Sequence, residues 1–165
     1  MAKDIQAVNA ELEAKDAHLF NGVCGIKNVE ADEEHAVSVM QIEQRLYQPF
    51  GFLHGGATLT LLEAVASRAC DLRANNEFER PFGLNVNVWH KKPGVKGVLT
   101  GYAELEREEE SANGSGRKQY WAVRAVDEAG DVVSEGTVLT KIVKLDYLEK
   151  KNAERGMATP NPVEI

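Results

Sequence analysis

The sequence predicts an α+β fold in which an antiparallel sheet wraps around one long central helix, and three observations predict it. Residues 57–72, ATLTLLEAVASRACDL, hold ten apolar side chains in sixteen positions. At 100° per residue these cover most of a helix circumference, and a helix so apolar is enclosed rather than laid on a surface. At least four strand-like segments follow it in series. Their linkers are short and polar, which makes neighbouring strands antiparallel and leaves the lone helix to bury itself against them.

The elements read in order as follows. From Asp4, the apolar residues Ile5, Val8, Leu12 and Leu19 keep helical spacing, and Gly22 stops that helix. Residues 23–29 and 35–42 are strand-like, parted by the acidic turn Ala31-Asp32-Glu33-Glu34. The segment QPFGFLHGG carries Pro49, Gly51, Gly55 and Gly56, so it is a loop opening into the central helix. After Pro81, FGLNVNVWH alternates: Leu84, Val86 and Val88 take one face, and Asn85, Asn87 and Trp89 the other. Further strands are expected near 96–107, 117–127 and 131–143, joined by EEESANGSG and by the tight turn DEAGD. Arg107 and the glutamate run beside it read as a solvated hairpin. The tail starts helix-like at Asp146 and frays at Thr-Pro-Asn-Pro. This divides the chain into an N-terminal helix (1–22), a main domain (23–143) and a tail (144–165).

Composition narrows the function classes. Of 165 residues, 43% are apolar and 27% charged, which is globular composition. Nineteen basic against 26 acidic residues leave a net charge of −7, which disfavours nucleic acid or an anionic membrane as the main partner. Two cysteines, Cys24 and Cys70, are too few for a disulfide framework and read as reduced thiols in a cytoplasmic protein. Cys70 is a packing residue rather than a nucleophile. The first residues lack the apolar stretch of a secretion signal, and no run approaches a membrane span. No His/Cys spacing fits a metal, and no glycine-rich phosphate loop is present.

Chemistry concentrates on the helix and its entry loop. Thr60, Glu63, Ser67 and Asp71 fall on one narrow stripe. That stripe is either the solvent edge of an amphipathic helix, or a carboxylate held in a partly apolar cleft with Ser67 one turn on. His54-Gly55-Gly56 either allows a tight turn or leaves backbone N–H groups at the positive helix end, where they can stabilise a developing oxyanion. Gln48 and His54 bracket the loop with further donors. Gly55 and Glu63 lie about 12 Å apart at ~1.5 Å per residue, so both reach one carbonyl only if they come from different subunits. A catalytic reading therefore predicts a homodimer, with Asn85, Asn87 and Trp89 offered for its interface.

The string QPFGFLHGGATLTLLEAVAS resembles the hotdog-fold acyl-CoA thioesterases, nearest the Arthrobacter type of 4-hydroxybenzoyl-CoA thioesterase. The 1,4-dihydroxy-2-naphthoyl-CoA and phenylacetate-pathway thioesterases are close to it. The resemblance spans roughly residues 20 to 143 and carries the hotdog fold with it. It implies that Gln48 donates toward the thioester, that His54 stands near it, and that the Gly55 N–H polarises its carbonyl. Glu63 matches the carboxylate nucleophile or general base, supplied from the opposite subunit, and Ser67 the hydroxyl that positions water. A glutamate rather than an aspartate here favours the Arthrobacter-like branch. His90 matches a contact to the coenzyme A nucleotide, and Lys91 and Lys92 are placed to pair with CoA phosphates, unless the three are simply a solvated strand end.

The implied activity is hydrolysis of an aromatic or medium-chain acyl-CoA to free acid and CoA. No cofactor or metal is needed, CoA being part of the substrate. The implied assembly is a homodimer with shared sites, by family habit a homotetramer built as a dimer of dimers. Two rivals share the fold. An enoyl-CoA hydratase wants an Asp/His pair on the substrate, and a non-catalytic acyl-CoA-binding module has no need of Glu63.

Overall fold

The computed structural model describes residues 4–163; the outermost residues of the expected N-terminal helix and tail, 1–3 and 164–165, lie outside them. The chain runs α1 (Ile5–Asp16), α2 (Phe20–Cys24), β1 (Ile26–Ala31), β2 (His35–Gln41), a 3-10 turn (Gln44–Leu46), α3 (Gly55–Arg73) and β3 (Glu79–His90). It continues through β4 (Val98–Glu110), β5 (Gly116–Val126), β6 (Val132–Lys144) and α4 (Leu145–Glu154). The six strands form one sheet in the order β1-β2-β4-β5-β6-β3, and every pairing is antiparallel. All six pack against α3 or lie beside it, as the apolar helix requires. Leu61, Leu62, Val65, Ala66 and Ala69 of α3 are fully buried against Met40, Leu99, Trp121, Val138 and Ile142.

The N-terminal helix differs from expectation. It ends at Asp16, and a second short helix begins at Phe20 after Leu19 adopts an extended backbone. Gly22 is not the stop. It sits inside α2, where a Cβ would collide with the backbone oxygens of Asp16 and Ala17, so its bareness lets α2 cross the end of α1. The stop is Gly25, in the left-handed region at φ 72°. Strand β1 therefore starts at Ile26 rather than at Val23, which is exposed on α2.

Arg68 holds α1 in place. Its side chain is 5% exposed, although it lies on the apolar helix. It donates to the backbone oxygen of Asn9 at 3.2 Å and to Asn9 Oδ1 at 3.1 Å, and it pairs with Glu13 at 3.2 Å and with Asp16. A buried guanidinium needs this full set of acceptors.

A second polar network closes the far end of α3. Arg73 donates to Glu108 at 2.7 Å, Arg117 pairs with Glu79, and Gln119 Nε2 donates to Glu108 at 2.9 Å. The network continues inward, with Thr140 Oγ1 donating to Gln119 Oε1 at 3.1 Å and Trp121 Nε1 donating to Thr140 Oγ1 at 2.8 Å. Strand β4 thus extends to Glu110, and Glu108 is anchored rather than part of a solvated hairpin; Arg107 does lie at the surface, over the Tyr120 ring.

Candidate active site at the N-terminus of the central helix

The loop before α3 is tied at both ends. Tyr47 and Leu53 form an antiparallel bridge, Gln48 N–H donates to Phe52 O at 2.8 Å, and His54 N–H donates to Leu46 O at 2.8 Å. Gly51 turns the loop at φ 86°, a conformation glycine supplies without strain. His54 is the N-cap of α3, and its Nδ1 accepts from Gly56 N–H at 2.9 Å. One orphan donor of the helix end is so satisfied. The next, Gly55 N–H, has no acceptor among the described residues and points out of the positive end of a nineteen-residue helix.

That N–H opens onto a cleft of about 440 Å³ lined by Gln48, Gly55, Thr58, His90, Lys91 and Lys92, among others. Gln48 Oε1 accepts from Phe50 N–H, which leaves its amide nitrogen to donate. The His90 ring lies on Gly55 so closely that a Cβ there would stand 2.9 Å from Nε2. Its Nδ1 shares a hydrogen bond of 2.8 Å with Ser134 Oγ, and Ser134 is fully buried. His90 is therefore a wall of the cleft held by the sheet, not a loose strand end. Lys91 pairs with Glu135 at 2.8 Å, and Lys92 with Asp127 at 2.8 Å and Asp131 at 2.7 Å. Hydrogen bonds that it donates to Asp127 and Asp131 hold the Lys92 ammonium above its usual range. Exposed pairs of this kind contribute little, so both lysines can be taken over by a more highly charged anion.

Glu63 and Ser67 lie elsewhere on the same helix. The Glu63 carboxylate rests over Gly83 of β3, where a Cβ would collide with Oε1. This contact depends on a β-bulge between Gly83 and Asn85, with Leu84 as the extra residue. Gly83 pairs with buried Thr140 and Val86 with buried Val138, so both face inward, while Leu84 is 50% exposed. The expected shared face of Leu84 with Val86 and Val88 is thus broken at Leu84. Glu63 is exposed in the single chain, and Ser67, one turn on, is half-buried. Thr60, on the same stripe, donates its hydroxyl back to Gly56 O at 2.9 Å.

The structure therefore gathers Gln48, Gly55, His90, Lys91 and Lys92 around one cleft, with His54 capping the same turn. Glu63 and Ser67 stand two and three helical turns away. Sequence reading missed Thr58, Ser134 and Gly83. For Gly83 a signal was available, a glycine inside a strand pattern; for Ser134 there was none. Cys70 is buried with its Sγ donating to Gln119 Oε1 at 3.7 Å, and burial pushes its thiol up to about 12, so it is inert packing.

A long helix enclosed by an antiparallel six-stranded sheet, with a glycine N-terminus open to a cleft, is the hotdog arrangement. No family model matches the chain. Individual proteins do. The chain is 36% identical over 87 residues to "Putative esterase ComA2" of Bacillus subtilis, covering 53% of this chain and 69% of that one. It is 29% identical over 119 residues to the 1,4-dihydroxy-2-naphthoyl-CoA hydrolase of Listeria monocytogenes, covering 71% and 91%. Among solved structures it is similar to a glutamine-to-alanine mutant of thioesterase PA1618 from Pseudomonas aeruginosa, with TM-score 0.74, 24% identity and coverage of 88% and 97%. The chain belongs to the hotdog-fold thioesterase superfamily. No helix among the described residues is long and apolar enough to cross a membrane.

Proposed function

We propose that this protein hydrolyses the thioester of an aromatic or medium-chain acyl-CoA, releasing the free acid and CoA. One observation carries the reading: the Gly55 N–H, without an acceptor among the described residues, faces a cleft, while Glu63, the exposed carboxylate of the polar stripe, is eight residues along the same helix. Separated by about 12 Å, the two can act on one carbonyl only across a two-fold dimer. Strand β3 supports such a dimer. It is an edge strand of twelve residues with Phe82, Leu84 and Trp89 exposed at 43%, 50% and 73%, and a long apolar edge of this kind calls for a partner.

In the proposed site the thioester carbonyl oxygen accepts from Gly55 N–H and from Gln48 Nε2, both of which strengthen their hydrogen bonds as negative charge develops there. Glu63 of the partner subunit attacks the carbonyl carbon or takes a proton from the attacking water, with Ser67 beside it to hold that water. The acyl–sulfur bond then breaks, and the CoA thiolate leaves and takes a proton from solvent. His54 keeps the helix end open by occupying Gly56 N–H, and His90 lines the cleft beside the CoA arm. Lys91 and Lys92 meet the CoA phosphates by exchanging their carboxylate partners. Two buried, unbridged cysteines fit a reducing, cytoplasmic setting.

Thiol release from acyl-CoAs is the test. Release by the wild type that Glu63→Gln abolishes supports the reading, and equal release by both proteins contradicts it.

A further inference from the structure

Ser134 of β6 places a hydroxyl in the core. The sheet register sets it opposite His90 on one side and Ala125 on the other, and both Ser134 and Ala125 are fully buried. Its Oγ lies 2.8 Å from His90 Nδ1 and has no other hydrogen-bond partner among the described residues.

This isolation decides where the protons lie. Were Nδ1–H to donate to Oγ, the serine proton would be a buried donor with no acceptor, which is costly. With the hydroxyl donating to Nδ1 instead, both atoms are satisfied, and the proton of the neutral ring sits on Nε2.

The packing of the ring then aims that proton. Nε2 would stand 2.9 Å from a Cβ on Gly55, and such a Cβ lies about 2.5 Å from its own backbone nitrogen. Nε2 and the Gly55 nitrogen are therefore no more than about 5.4 Å apart. Donors that near can share one oxygen lying about 2.9 Å from each. Neither has an acceptor among the described residues, and both residues line the same cleft.

We propose that His90 Nε2–H is a further donor to the thioester carbonyl oxygen, beside Gly55 N–H, and that Ser134 is the positioning residue that holds it there. This rests on the thioesterase reading, which puts that oxygen at Gly55. When the carbonyl carbon is attacked, the π electron pair moves onto the oxygen, and the hydrogen bond from Nε2–H strengthens with the charge. The pair returns as the acyl–sulfur bond breaks and the thiolate leaves. The imidazole keeps its proton throughout, so it acts as a donor and not as an acid.

The tautomer and the carbonyl are tested separately, on the full chain. Nitrogen-15 spectra of the histidine rings, with His90 assigned by its loss in His90→Ala, are expected to show a protonated Nε2 and a bare Nδ1 at mildly alkaline pH. A protonated Nδ1 overturns the inference and leaves the hydrolase reading standing. Infrared spectra of carbonyl-labelled benzoyl-CoA or octanoyl-CoA bound to Glu63→Gln, where turnover is suppressed, are expected to show the carbonyl stretch below its frequency in water. Adding His90→Ala or Ser134→Ala is expected to undo part of that shift, and adding both to undo no more than His90→Ala alone, because Ser134 acts only through the ring. Ser134→Cys, which keeps a weak donor, is expected to fall between and serves if Ser134→Ala does not fold. In the otherwise wild-type chain, Ser134→Ala is expected to lower kcat about tenfold with KM within about twofold. A carbonyl frequency that His90→Ala or Ser134→Ala leaves unchanged overturns the inference. The expected frequencies in a protein that hydrolyses no thioester support the donor and overturn the hydrolase reading. A folded protein that binds neither thioester overturns both.

Discussion

The Glu63 carboxylate occupies the space where a side chain on Gly83 would be: a Cβ built on that glycine collides with Oε1 and stands 3.5 Å from Cδ. The β-bulge at Leu84 turns this bare position of β3 inward toward α3. Gly83 does not adopt a backbone conformation reserved for glycine, so Gly83→Ala is compatible with the strand and acts on Glu63 alone. Turnover is expected to fall about ten- to a hundredfold with the melting temperature nearly unchanged. Steady-state kinetics beside thermal melts check this. A Gly83→Ala protein with wild-type turnover removes Gly83 from the account of how Glu63 is positioned.

Shared sites give a numerical signature. Gly55 is the first residue of α3, where proline fits the helix while removing the N–H. The preceding His54 has φ −63° and ψ 131°, which suits a residue before proline. Gly55→Pro and Glu63→Gln are each expected to be inactive. Refolded together in equal amounts, half the dimers are mixed and each of these holds one intact site, so about a quarter of wild-type activity returns. A dead mixture, beside a wild-type control that recovers on refolding, contradicts the shared site.

Acid stability follows from the network at the far end of α3. Burial raises the carboxyl of Glu79, but hydrogen bonds from Arg117 and from Asn75 N–H outweigh it. Burial likewise raises Glu108, and hydrogen bonds from Arg73 and Gln119 outweigh it. Both carboxyls therefore lie below the ordinary 4.5. Groups held lower in the folded chain than in the unfolded one contribute stability that is complete above the unfolded value, and that stability is lost as pH falls through the folded value. Urea denaturation is expected to give a stability level above about pH 5 and declining below it. In Glu108→Gln that decline is expected to be shallower. An unchanged slope would mean that this network does not carry the acid response.

Arg68 couples α1 to the core. Arg68→Met keeps much of the apolar stem but strands Glu13 and Asp16 without their cation. The expected result is detachment of α1, read as faster amide exchange and protease cleavage within residues 5–24, with protection of α3 and the sheet retained. Unchanged protection of α1 would show that the ion cluster is not what holds it.

How far the sequence reaches can be seen residue by residue. The central helix and the strands of the sheet were legible because their periodicities report burial directly. The cap-and-glycine entry at His54-Gly55-Gly56 was legible because a helix end has fixed hydrogen-bonding needs. Leu84 was misread because a bulge is decided by the register of β3 on β6, which alternation within one strand does not contain. Glu108 was read as part of a solvated hairpin because its partners come from α3 and β5, which the local run of glutamates does not contain. His90 was placed with its neighbours at a strand end, yet Ser134, 44 residues on, turns its ring onto Gly55. Gly22 looked like a helix stop because nothing local shows the crossing with α1 that it permits.

Whether Glu63 carries thioester hydrolysis is read from thiol release from benzoyl-, naphthoyl- and straight-chain acyl-CoAs, with wild type and Glu63→Gln assayed side by side. Fast release by the wild type is expected from at least one aromatic or medium-chain substrate, falling roughly a thousandfold or more in Glu63→Gln, with its melting temperature unchanged. Equal release by the two proteins would take Glu63 out of the chemistry. No release from any thioester, by a protein that still binds CoA thioethers, would contradict hydrolysis and leave an acyl-CoA-binding module.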